Sequence, residues 1–176
     1  IFVGLAVLLA LAAMSVTLES SVLPFVYLAS IGMAVVYNFG SNVFLGEISY
    51  ITKAITAVLQ LGVTMDFSIF LYHKYEIEKE QERNSKIAMQ KAIHATFVSV
   101  IGSSLTTIAG FLALCSMDLT LGKDIGIVMA KGVICGLLCV LTLFPSLLLV
   151  FEKRIEKTKH KSFFPKFKGI QNFARK

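Results

Sequence analysis

The stretch Gly62-Val63-Thr64-Met65-Asp66-Phe67-Ser68-Ile69-Phe70-Leu71 places one carboxylate inside an otherwise apolar run. Leu59 and Leu61 precede it, and His73-Lys74-Tyr75-Glu76 close it at one end only. An ionised carboxylate in hydrocarbon is costly unless it has a partner or a task, and an intramembrane acid is by default a proton or ion relay. Reading this run as a membrane helix therefore sets both the fold class and the functional question.

Composition supports that reading. Hydrophobic residues make up 56% of the chain, charged residues only 16%, and the mean hydropathy is +0.76, a balance foreign to a soluble domain of 176 residues. The formal charge of +6 does not point to nucleic acid, because the basic residues cluster at the ends of apolar segments, where lipid headgroups and orientation explain them.

Five apolar stretches, 1–18, 22–39, 51–72, 92–114 and 125–151, each approach the ~20 residues needed to cross a bilayer. The expected fold is all-α: a polytopic transmembrane helix bundle of five spans over residues 1–151. A link over 74–91 and a basic tail over 152–176 complete the chain. The first stretch has no basic n-region and no small-residue cleavage site near Ser20, so it reads as a helix entered part-way rather than a signal peptide. Fourteen of the 17 Lys and Arg residues lie in the link and the tail, and the positive-inside rule makes that side cytoplasmic.

The link mixes four glutamates with five basic residues, as a solvated, salt-bridged helix end does. Asn84-Ser85 offers a capping side chain for a new helix near Ser85, which either lies on the membrane surface or simply connects two spans. Small residues recur at four-residue spacing: Gly102, Thr106 and Gly110 in the fourth stretch, then Gly122, Gly126 and Ala130, and Gly132 with Gly136, in the fifth. Such strips let helices approach closely in lipid, so these residues, with Gly62, are read as helix-packing positions.

Two charges inside apolar segments need weighing. Asp66 lies roughly 22 Å along its helix from the outer end, and Lys131 about 10 Å below the outer boundary, so a direct pair would require tilt or a water bridge. Lys131 can instead snorkel outward, with Asp124 on nearly the same side of the helix. Asp66 is either a relay group or a structural acid hydrogen-bonded to Thr106, Thr107 or Ser103.

The 62–75 segment resembles the fourth transmembrane helix of MMPL-type transporters, a branch of the resistance-nodulation-division (RND) superfamily. The likeness continues through 103–111 (SSLTTIAGF), Gly122-Lys123-Asp124-Ile125-Gly126, Lys131-Gly132 and Leu143-Phe144-Pro145-Ser146. The resemblance implies helices two to six of one half of such a protein, the half preceding the inter-half linker, without its extracytoplasmic porter domain. It implies proton-driven export of lipidic or other hydrophobic molecules across a bacterial plasma membrane, with Asp66 as the relay carboxylate and a cytoplasmic C-terminal tail. The implied partners are the lipid bilayer, a hydrophobic substrate, the proton, and the remainder of the transporter: first helix, porter domain and second half. The family has Asp-Tyr where this chain has Asp66-Phe67, which removes a hydroxyl from the relay. Ser68, Tyr72 and Lys131 are candidates to support it, although Ser68 points about 200° around the helix from Asp66.

Other chemistry is sparse. Cys115, Cys135 and Cys139 read as small apolar residues, the three histidines form no ligand cluster, and no Walker-type loop is present. The reading is therefore of a non-enzyme, with no cofactor or metal and no nucleic-acid partner. In the tail, Phe163, Phe164 and Phe167 interleave with lysines, as in a linker touching anionic lipid. A lipid-sensing or scaffold module of the sterol-sensing type, binding lipid without transport, is the alternative function.

Overall fold

In lipid every backbone N–H and C=O must be satisfied within its own segment, so long apolar runs lacking strand-like alternation become helices. The computed structural model describes residues 2–17, 20, 22–45, 48–82, 84–117 and 119–158. They form five α-helices: α1 (Phe2–Thr17), α2 (Leu23–Gly40), α3 (Tyr50–Gln81), α4 (Ser85–Leu114) and α5 (Thr120–Lys157). A short 3-10 segment (Ser41–Leu45) follows α2. Four helices, α2 to α5, are long and apolar enough to cross a membrane, whereas α1, with 16 residues, is shorter.

The helices outrun the apolar stretches that announce them. α3 continues past Tyr72 to Gln81, α4 begins at Ser85 rather than Ala92, and α5 runs from Thr120 rather than Ile125 to Lys157 rather than Phe151. The 74–91 link is thus helical up to Gln81 and again from Ser85. Hydropathy marks where a helix meets lipid, not where it ends: α3 is about 48 Å long and α5 about 57 Å, against a hydrocarbon core of about 30 Å. The extensions are held by Lys74–Glu78 at 3.2 Å and by Lys79 and Lys91 pairing with glutamates. The Asn84 side chain caps α4, accepting from the Lys86 N–H at 3.0 Å. The expected tail beyond Thr158 lies outside the described residues.

α5 is the central element, packed against α2, α3 and α4. Its glycines permit this. A Cβ on Gly126 would lie 2.6 Å from the Phe111 carbonyl oxygen, one on Gly132 2.6 Å from Asn38 Nδ2, and one on Gly136 2.7 Å from Thr64 Oγ1. The other small-residue positions behave differently. Gly62, Gly102 and Gly110 would admit a Cβ with nothing within 4 Å, and Thr106 is exposed, so these four meet no neighbouring helix closely among the described residues. They lie on α3 and α4, and only 11% of the apolar window of α4 is buried against 39–44% for the other long helices.

Two polar side chains fasten the interior. Asn38 Nδ2 donates to Gln60 Oε1 at 2.7 Å and to the Val128 carbonyl at 3.3 Å. Gln60 Nε2 donates to the carbonyls of Ala34 and Gly132, each at 3.2 Å. This clamp joins α2, α3 and α5 in a region where an unmade hydrogen bond is costly. Further along, Tyr27 packs tilted against Phe144, with ring centroids 4.8 Å apart, and edge-on at 6.1 Å to Tyr72, closing the apolar core around Leu71 and Leu148.

Candidate functional site

Asp66 projects from the middle of α3 into an open groove of about 480 Å³ between α3 and α4. Val63, Phe67 and Phe70 line it from α3, and Ser99, Val100, Ser103 and Thr107 from α4. The α4 residues recur at i, i+4, i+8, which places their hydroxyls in one row facing the carboxylate. Asp66 is exposed and makes no hydrogen bond or ion pair among the described residues.

Two of the three hydroxyl protons of that row, those of Ser103 and Thr107, are committed to their own helix. Ser103 Oγ donates to the Val100 carbonyl at 3.1 Å and Thr107 Oγ1 to the Ser103 carbonyl at 2.8 Å. Their oxygen lone pairs remain as acceptors, suited to a protonated carboxyl or to water. Thr106 donates to the Gly102 carbonyl at 3.0 Å. The structural alternative, in which Thr106, Thr107 or Ser103 holds Asp66 by a hydrogen bond, is therefore not the arrangement observed.

The other residues singled out from the sequence go to different places. Phe67 shares the groove with Asp66. Ser68 is fully buried on the far side of α3, and its hydroxyl donates to the Thr64 carbonyl at 2.9 Å. Tyr72 donates to Glu76 Oε1 at 3.1 Å. Lys131 donates to Asn42 Oδ1 in the 3-10 segment, so its ammonium is held at the opposite end of α5 from Glu152. Neither Ser68, Tyr72 nor Lys131 is brought into the Asp66 groove.

A second polar cluster, beyond the apolar stretches of α3 and α5, escaped the sequence reading. Glu152 Oε1 accepts from Lys79 and Ser85, and from Tyr75 at 3.1 Å, while Lys79 also reaches Glu156 at 2.7 Å. These contacts tie α3, the first turn of α4 and the end of α5. Burial alone would push the Glu152 carboxyl up, but hydrogen bonds from Lys79 and Ser85, the Lys79 charge and the Tyr75 hydroxyl outweigh it, leaving the carboxyl below its ordinary range. For Lys79, burial opposes the charge and the bonds to Glu152 and Glu156 more than reverse it, so its ammonium is held above its ordinary range. A carboxyl lowered on folding stabilises above its unfolded pKa, near 4.3 for Glu, and loses that contribution as pH falls through the folded value. The thermal midpoint of the complete protein should therefore drop on acidification through the carboxylate range, and Glu152→Gln should make that drop shallower. An unchanged acid limb in Glu152→Gln would remove the cluster from the stability of the bundle. The signal available in the sequence was the opposite charge of Lys79 and Glu152–Glu156, but only packing shows that they meet.

A bundle of helices long and apolar enough to cross a membrane, with a carboxylate in an open, hydroxyl-lined groove, defines the class of multi-pass membrane proteins. The model of the MMPL family matches residues 1–168, and the chain belongs to that family. A membrane protein of Methanocaldococcus jannaschii is 31% identical over 136 residues, covering 77% of this chain and 34% of that protein. The membrane protein ActII-3 of Streptomyces coelicolor is 32% identical over 123 residues, covering 70% of this chain and 17% of that protein. The chain thus spans about a third or less of the length of these relatives. No solved structure gives a significant match.

Proposed function

We propose that this chain is the membrane-embedded part of a proton-driven secondary transporter that exports lipidic or hydrophobic molecules, with Asp66 as its proton-relay carboxylate. The observation that carries this reading is the exposed Asp66, without a partner among the described residues, in a groove within an apolar helix pair, faced by hydroxyl oxygens. A carboxylate used only for structure would be enclosed and paired, because isolated charge in hydrocarbon is disfavoured. An open site lets the carboxyl exchange a proton with water or with a facing group, and a change of protonation can bias one conformation over another. In this reading the end of the bundle carrying Glu152 faces the cytoplasm, since most lysines and arginines cluster there. The exposed side of α3 and α4, with Gly62, Gly102, Thr106 and Gly110, faces the remainder of the transporter or the substrate path.

A lipid-sensing module would use the same groove differently, seating an acyl chain against Val63, Phe67 and Phe70. Proton-driven efflux from vesicles containing the complete parent protein, with and without Asp66→Asn, separates the two readings. Transport that depends on the gradient and on Asp66 supports the first. Lipid binding without gradient-driven flux overturns it.

A further inference from the structure

Every fourth residue of α3 from Thr52 is polar: Thr52, Thr56, Gln60, Thr64 and Ser68, continuing to Tyr72 and Glu76. Residues at this spacing form one ridge that winds along a helix. The first five are at most 1% exposed, so the ridge runs through the bundle interior, away from the Asp66 groove.

A hydroxyl in a membrane helix is ordinarily satisfied by its own backbone, four residues back. Ser68, Thr96, Ser104 and Thr142 all do this here, with oxygen–oxygen distances of 2.9, 2.8, 2.6 and 2.6 Å. Thr52, Thr56 and Thr64 do not: their buried hydroxyls have no protein partner among the described residues. Ser30 Oγ and Asn38 Oδ1, contributed by α2, are in the same position. The contact pattern sets α2 antiparallel to α3, with Asn38 beside Gln60 and Tyr27 beside Ser68, which brings Ser30 to the level of Thr64.

We propose that this ridge is a water-binding track inside the bundle, in two runs separated by the Asn38–Gln60 clamp. The inner run, from Thr64 to Glu76, leads toward the end of the bundle that carries Glu152. Side chains four apart on a helix lie ~6 Å from one another. That is too far for a direct hydrogen bond and matches two bonds of about 2.8 Å through one water. The track carries no carboxylate before Glu76, which suits water rather than a divalent cation. At its inner end, Tyr72, Glu76, Lys79 and Glu152 border a cavity of about 20 Å³, room for about one water. The clamp interrupts the line, because the Gln60 amide spends both of its N–H bonds and its carbonyl on protein partners.

The track is independent of the role assigned to Asp66, and its test reads hydration rather than transport. The complete protein in lipid nanodiscs is exposed to millisecond X-ray pulses, and hydroxyl-radical modification of Tyr27 is measured by mass spectrometry. Tyr27 is fully buried and lies beside Ser68. The expected result is modification of Tyr27 in the wild type, loss to background in Thr64→Val, and retention in Thr64→Ser. An unmodified wild-type Tyr27 overturns the proposal without any variant. Equal modification in Thr64→Val and the wild type overturns it as well. If Thr64→Val does not fold, the wild-type measurement still decides.

Discussion

Asp66→Asn is expected to reduce gradient-driven transport by about 100-fold or more, the scale at which removing a positioned proton-transfer group acts, while leaving folding nearly untouched. Asparagine keeps the size and the hydrogen-bonding oxygen but can neither bind nor release a proton near neutral pH. Because Asp66 has no partner among the described residues, the change breaks no contact within the bundle. The thermal midpoint should then shift by no more than the ~0.5 kcal/mol typical of substitutions away from structural features. Both readouts matter. Transport lost together with stability would mark Asp66 as a structural acid, and transport retained with stability unchanged would move energy coupling to another residue.

Gly132→Ala is expected to be the most disruptive conservative change in the interior, costing about 2–4 kcal/mol from overpacking combined with weakened interhelical hydrogen bonds. The added Cβ would lie 2.6 Å from Asn38 Nδ2 and 3.1 Å from Gln60 Oε1. Asn38 cannot yield freely, since the same nitrogen holds Gln60 and the Val128 carbonyl. Relief requires α5 to move away from α2 and α3, or the clamp to open and leave buried amide groups unpaired. Gly32→Ala in α2 is the control: its Cβ meets nothing within 4 Å, and alanine favours the helix by up to about 1 kcal/mol. Thermal unfolding of the two variants in the complete protein should separate them clearly. Equal midpoints would refute the clamp as a stabilising element.

The two strips of small residues show how far spacing can be read. Gly102–Thr106–Gly110 and Gly132–Gly136 look alike in the sequence, yet the first is open and the second meets Asn38, Gln60 and Thr64. Spacing establishes that a close approach is permitted, whereas the neighbour that uses it is a property of the packed bundle. The Asn84 cap was legible because capping is local, a side chain reaching a backbone N–H two residues on. The polar ridge of α3 was legible in principle, as a polar residue at every fourth position from Thr52 to Ser68. Its burial was not, since the same pattern on a lipid-facing or lumen-facing helix would have another meaning.

The sequence by itself determined the all-α membrane class, the family and the presence of an acid within a lipid-crossing helix. Those features follow from hydropathy over ~20-residue lengths and from local motif order, both carried by neighbouring residues along the chain. Only the tertiary structure decided that Asp66 stands open in a groove with Ser103 and Thr107, that Lys131 turns instead to Asn42, and that Lys79 and Glu152 meet. Such pairings join residues far apart in the chain, and they depend on how each helix is rotated about its axis and how far its neighbours slide along it. Rotation and sliding are set by the fit of glycines, amides and aromatic rings between helices, which no single segment contains.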